Sequence, residues 1–263
     1  MTQEINQIGI VVIQSLPKDD LQTGIVLCDE ILKYKHYQKF DTNYFLWQFA
    51  PKDKSEFVFA LHNILEKMEP GMIFTLHIES HGTDEGIVCA NGEILSWHEF
   101  HTLIRPINVK MFHLLVVVLA MCYGGANIST IEPEKRAPYK ACISSYREVS
   151  VDEVARGFSA FYSSYTSPLD IVRGVNEIQS ELSSANNHFG PFHIFTSRDV
   201  FLQTFDLDRD YASKEHLINT AYVAKRYKGE MCTREDVENE LRTIFKSAID
   251  NLLPYYDFED LKE

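Results

Sequence analysis

The chain has 263 residues, 45% hydrophobic and 24% charged, so one α/β-sized domain with an ordinary buried core is expected. Its 25 basic and 38 acidic residues give a net charge of −13, which argues against nucleic acid or an anionic membrane surface as a partner. Five scattered cysteines without a C-x-x-C pair favour free thiols in a reducing compartment. The N-terminal apolar run has six residues, too few for a signal peptide or a membrane span, so a cytoplasmic protein is expected.

The first part of the chain alternates short apolar runs with amphipathic segments. Ile8–Ile13 is predicted to be a strand buried on both faces, and residues 21–32 carry apolar side chains at helical spacing. Tyr44–Phe49, which is short and aromatic-rich, is a second predicted strand. A helix capped by Ser55 then leads to a third predicted strand, Met72–Ile78.

The middle of the chain contains its most apolar strand candidate. The Asn-Gly pair at 91–92 lies between two apolar pieces and predicts a hairpin turn. A capping box at Ser96 begins a predicted helix through Ile104. Two further strands are predicted at Phe112–Leu119 and Ala141–Ser144.

The last part of the chain is predicted to be mainly helical. Helices are expected to begin after Ser150 and at Ser167–Pro168, the second in the usual cap-then-proline order. Phe192–Thr196 is the last predicted strand. Two helices follow from about Tyr211, the second capped by Thr233, so we expect a domain over residues 1–210 and a helical extension over 211–263.

Strands that alternate with helices predict an α/β fold with a largely parallel, six-stranded sheet covered by helices on both faces. In such sheets the reactive crevice lies at the carboxyl ends of the strands. His81 directly follows one apolar strand and Cys122 directly follows another. If these strands are neighbours, roughly 4.8 Å apart, the imidazole and the thiol emerge at the same edge.

This pair of residue types suits acyl transfer. A thiol becomes a nucleophile when a nearby base removes its proton, and histidine does so near neutral pH. Gly82 lets a backbone N–H approach a scissile carbonyl, and the N–H of Cys122 is a candidate second donor of an oxyanion hole. No metal site is expected: His98 and His101 share a predicted helix face without a matching carboxylate or cysteine.

Two sequence segments resemble caspase-like cysteine peptidases of clan CD. FTLHIESHG resembles their strand followed by His-Gly, and HLLVVVLAMCYGG resembles their apolar strand ending in the nucleophilic cysteine. The 41-residue separation of His81 and Cys122 is close to the roughly 50 found in caspases. The flanking residues look most like bacterial caspase-like and CHAT-type peptidases, and the resemblance covers about residues 5 to 205.

The resemblance implies a three-layer caspase-like sandwich and an endopeptidase that needs no cofactor. In it His81 is the general base, Cys122 the nucleophile and the Gly82 N–H part of the oxyanion hole. It further implies a protein substrate in a bacterial defence or regulated-death system, such as a gasdermin-like pore former or a toxin. Regulation is expected from a partner, from proteolytic activation or from the loop at 127–138.

One position departs from the animal caspases. They carry Gln-Ala-Cys-x-Gly, whereas this chain has Ala120 two residues before its cysteine, where arginine-cutting relatives commonly carry aspartate. Ala120 offers no donor for an acidic side chain and no charge for a basic one, so we expect a neutral S1 pocket that prefers an apolar P1 residue such as leucine. Glu148, Asp152 and Arg147 are the candidate residues that would bring charge into the pocket from another part of the chain.

Two other readings of the sequence remain open. A catalytically silent caspase-like interaction module would keep the fold, although such proteins usually lack one of the two reactive residues, and both are present here. An ordinary doubly wound ligand-binding domain would carry a glycine-rich phosphate loop after its first strand, where this chain has Gln14–Pro17.

Overall fold

The computed structural model describes residues 4–37, 43–165, 171–183 and 190–259. Its strands are β1 (Gln7–Ser15), β2 (Asn43–Phe49), β3 (Met72–Gly82), β4 (Gly86–Val88), β5 (Ile94–Ser96), β6 (Val116–Ala120), β7 (Ala141–Ser144) and β8 (His193–Thr196). Its α-helices are α1 (Thr23–Glu30), α2 (Lys54–Lys67), α3 (Trp97–Lys110), α4 (Val151–Ser164), α5 (Ile171–Leu182), α6 (Ser197–Thr204), α7 (Tyr211–Tyr227) and α8 (Arg234–Tyr256). Short 3₁₀ helices span Leu32–Tyr37 and Gly124–Thr130.

The main sheet has the strand order β2-β1-β3-β6-β7-β8. Its first five strands run parallel, and only β8 is antiparallel to its neighbour β7. The predicted fold class is confirmed: a mostly parallel sheet of six strands lies between helices, and helices follow at the C-terminal end. Strands β4 and β5 form a small hairpin that extends from the end of β3, with Gly92 in its turn at φ 91°.

Both faces of the sheet are buried because successive side chains of a strand point to opposite sides. In β1, Val11 and Ile13 belong to a core with α2 and α3, where Phe57 is fully buried. Ile10 belongs to the opposite core with α1, α4 and α5, where Phe158 is buried. The continuous apolar run of the first strand therefore reflects two cores, as the sequence predicted.

Two local predictions differ from the structure. The strand expected from Phe112 begins instead at Val116, because Phe112 and His113 adopt left-handed conformations (φ 51° and 63°) in the turn after α3. The cap of α2 is Asp53 rather than Ser55, and its side chain accepts a hydrogen bond from the N–H of Glu56. The helix start predicted at residues 167–168 lies outside the described residues.

Helix α8 packs against α6 and against the segment that precedes β7. Thr233 forms the predicted capping box at the start of α8. At the other end of α8, the hydroxyl of Tyr256 donates to the carbonyl of Ser197 at 3.2 Å, and its own carbonyl accepts from the N–H of Ala137. The division into residues 1–210 and 211–263 stays a prediction. In the described part of the chain, no helix is long and apolar enough to cross a bilayer.

Candidate active site

The two predicted reactive residues lie at the carboxyl ends of adjacent strands. Strands β3 and β6 pair in parallel, with Glu79 opposite Ala120. His81 follows Glu79 by two residues and Cys122 follows Ala120 by two residues, so both lie beyond the same edge of the sheet. Both side chains line one cavity of about 190 Å³. The pairing of these strands, which the sequence could only assume, is thus observed.

The thiol of Cys122 is held by the peptide of Val149. The Val149 N–H donates to Sγ at 3.3 Å, and the carbonyl oxygen of the same residue lies 3.7 Å from Sγ. The chain then turns sharply because Tyr123 adopts a left-handed conformation (φ 54°, ψ 16°) before the 3₁₀ helix at Gly124. An N–H aimed at sulfur fixes its position and stabilises negative charge on it.

Cys122 differs from most other cysteines of the chain in its exposure. It is half-buried, as is Cys232, whereas the other three are fully buried. Burial raises the pKa of the Cys28 and Cys142 thiols to about 12 and that of Cys89 to about 11. These three buried thiols therefore remain protonated near neutral pH, and Cys232 is the appropriate internal reference for the reactivity of Cys122.

An aspartate that sequence reasoning missed contacts the predicted base. The Nε2 atom of His81 lies 2.7 Å from Oδ2 of Asp20, which belongs to the connection between β1 and α1. The two side chains are 58% and 40% exposed. Because Nε2 is engaged with the carboxylate, Nδ1 is the ring nitrogen available for proton transfer. The sequence signal was an acidic residue just after the first strand, at the edge where sites are expected.

Gly82, at the end of β3, lies against the segment that follows β6. A Cβ atom at this position would be 2.2 Å from the carbonyl oxygen of Cys122 and 2.9 Å from Cγ of Met121. No real Cβ tolerates such a distance to a backbone atom, so the approach requires glycine. The donation of the Gly82 and Cys122 N–H groups to an oxyanion stays a prediction.

Ala120 and a carboxylate are among the most buried residues that line the cavity. Both Ala120 and Glu79 line the cavity, and Glu79 is only 2% exposed. The Thr23 hydroxyl donates to Oε2 of Glu79, and Nε2 of His77 lies 3.0 Å from Oε1. His77 is fully buried, and its Nδ1 lies 3.2 Å from the hydroxyl of Tyr162. Sequence reasoning did not single out Glu79.

The remaining candidate residues lie outside the lining of this cavity. The carboxylate of Glu148 accepts a hydrogen bond from the hydroxyl of Tyr123 at 3.4 Å. Asp152, in the first turn of α4, forms an ion pair with Arg156 one turn later. Their contact with substrate stays a prediction, and none of them contributes to the cavity wall as the structure stands.

Comparisons with known proteins add one structural similarity. No protein-family model matches the chain, and no curated protein matches its sequence. Among solved structures, it is similar to a chain in the complex of the pro- and mature domains of RgpB from Porphyromonas gingivalis, with a TM-score of 0.43 and 13% sequence identity. The similarity covers 73% of this chain and 47% of that chain. This chain therefore spans about half the length of the protein that it matches.

Proposed function

We propose that the protein is a cysteine endopeptidase with Cys122 as nucleophile and His81 as general base. The observation that carries the proposal is that the thiol and the imidazole line one cavity, beyond the ends of two adjacent parallel strands. The hydrogen bond between His81 and Asp20 supports it further, because a base held by a third group is typical of such sites. The sequence resemblance to caspase-like peptidases points to the same residues.

In the proposed reaction His81 takes the thiol proton while Sγ of Cys122 attacks the scissile carbonyl carbon. The N–H groups of Gly82 and Cys122 hold the resulting oxyanion. The C–N bond then breaks, and the proton on His81 passes to the leaving amine. Water, deprotonated by His81, attacks the remaining thioester and releases the carboxylic acid and the free thiol. These steps use only groups of the chain and water.

The test is the reactivity of each cysteine toward iodoacetamide, located by mass spectrometry. We expect Cys122 to be alkylated at least about tenfold faster than half-buried Cys232, because Cys122 lines the same cavity as the imidazole of His81. His81→Ala should remove this advantage, and His62→Ala, at an exposed position on α2, should not. Equal reactivity of Cys122 and Cys232 would contradict the proposal and favour a catalytically silent interaction module.

We also propose a specific protein as the physiological substrate, in a bacterial defence or regulated-death system, with a pore former or toxin as the type of target. This step depends on the resemblance alone. It is tested by incubating the protein with the products of neighbouring genes and looking for a single cleavage that Cys122→Ala abolishes. If a preparation that cleaves peptides cuts none of these proteins, the assignment of the partner is contradicted. The peptidase proposal itself would still stand.

The apolar walls of the cavity support a P1 side chain with an apolar body. Ala120, Val149 and Val154 line the wall beside Cys122. The apolar P1 preference expected from Ala120 is consistent with these walls. The same cavity is also lined by the buried carboxylate of Glu79.

A further inference from the structure

The cavity beside Cys122 is lined in part by a buried carboxyl side chain from the neighbouring strand. Glu79 of β3 lies opposite Ala120 of β6 in the parallel register, and both residues line the cavity. Alanine has the smallest side chain with a Cβ atom, so the carboxylate beside it remains within reach of a ligand in the cavity.

The Glu79 carboxylate has a hydroxyl group and an imidazole as its hydrogen-bond partners. Its two oxygen atoms receive hydrogen bonds from the hydroxyl of Thr23 and the imidazole of His77. Across the described ranges of the chain, no lysine or arginine forms an ion pair with it. The other carboxylate that lines the cavity, Asp20, is engaged with His81. A carboxylate accepts about four hydrogen bonds, so Glu79 has acceptor capacity left for a ligand.

A carboxylate in this position costs free energy unless a cation approaches it. Glu79 is 2% exposed, and the walls around it are mainly apolar, so water stabilises its charge poorly. The start of α1 lies against it, since a Cβ atom on Gly24 would be 3.2 Å from Cδ of Glu79, and a helix N-terminus favours negative charge. The N-terminus of α1 and the Thr23 hydroxyl therefore both face this carboxylate.

We propose that Glu79 determines P1 specificity by binding the cationic end of a lysine or arginine side chain. The inference rests on the proposed peptidase function and names the substrate class of the same site. The aliphatic part of the P1 side chain lies along Ala120, Val149 and Val154, and its ammonium or guanidinium group meets the carboxylate of Glu79. This assignment replaces the leucine-like preference that Ala120 alone suggested.

The test compares peptidyl chloromethyl ketones that differ only at P1, with lysine, arginine, leucine, glutamine or aspartate. The rate of inactivation through Cys122 is measured for each, so that no turnover is needed. We expect lysine and arginine to react about a hundredfold faster than leucine. In Glu79→Gln the ratio of the lysine rate to the leucine rate should fall to within about threefold. Glu66→Gln, which removes the same charge from an exposed position on α2, should behave as the parent protein.

The outcomes separate this inference from the function on which it rests. If leucine, glutamine or aspartate reacts fastest with the parent protein, the inference is overturned while the peptidase proposal stands, and this holds even if Glu79→Gln does not fold. If the lysine advantage survives in folded Glu79→Gln, Glu79 is not the determinant. If Cys122 reacts with iodoacetamide no faster than Cys232, the peptidase proposal fails and the inference fails with it.

Discussion

Replacing Gly82 by alanine tests how closely the two strand ends must approach. The added Cβ would be 2.2 Å from the carbonyl oxygen of Cys122, whereas ordinary van der Waals contact begins at 3.4 Å. The difference is 3.4 − 2.2 = 1.2 Å, and a backbone atom cannot rotate away as a side chain does. The segment that carries Cys122 must therefore move by about 1 Å relative to β3. Overpacking of this kind costs about 1–3 kcal/mol of unfolding free energy.

The displacement should affect reactivity more than stability. A misplacement of about 1 Å in a catalytic group costs on the order of a hundredfold in rate. We therefore expect Gly82→Ala to lower the rate of Cys122 inactivation by a peptidyl chloromethyl ketone by about that factor, while urea denaturation still shows a folded protein.

The matched control is Gly92→Ala in the β4–β5 turn, where an added Cβ meets no atom within 4 Å but φ is 91°. It should lose roughly 1–2 kcal/mol through backbone strain and keep the rate of the parent protein. An unchanged rate in folded Gly82→Ala would refute the argument that this approach positions Cys122.

Two further predictions concern titratable groups. Asp20→Asn should lower kcat about tenfold with little change in KM, because the carboxylate no longer orients the imidazole of His81. Its unfolding free energy, measured in urea, should change by less than about 1 kcal/mol since the pair is exposed, and an unchanged kcat would contradict a positioning role. Burial lowers the pKa of His101 from 6.5 to about 4, so below pH 6.5 the unfolded chain binds a proton that the folded protein refuses. Stability should therefore fall by about 3 kcal/mol between pH 7 and pH 4, and urea midpoints of His101→Gln should lack this component of the pH dependence.

The positions of His81 and Cys122 were predictable because two local signals coincide. Apolar runs mark strands β3 and β6, and each reactive residue follows the end of its run. The rule that sites lie at the carboxyl ends of parallel strands then brings the two residues to one edge. The start of β6 was less predictable, because the left-handed turn at Phe112 and His113 interrupts an apolar run that has no glycine.

Asp20 was not predictable as a partner of His81, because its position depends on the order of the strands. β1 pairs with both β2 and β3, so the connection after β1 lies beside the end of β3. Strand order arises from packing of the whole sheet, and no local pattern in residues 16–22 encodes it. A polar loop at that point of the sequence is otherwise an ordinary solvated connection.

The place of Glu79 beside the cavity was likewise not predictable from local sequence, although its strand carried a sign that this residue is unusual. A glutamate at an internal position of an apolar run is costly to bury, and alternation places it on the same face as Thr75 and His77. That face meets the hydroxyl groups of Tyr162 and Tyr165 on the α4 side, so the polar side chains of the strand form hydrogen bonds within the core. Only the parallel register shows that Glu79, the last of these polar residues, lies beside Ala120 and not deeper in the core. A pocket at the edge of a sheet takes its charge from both strands that border it, so the residues flanking a nucleophile cannot determine its specificity alone.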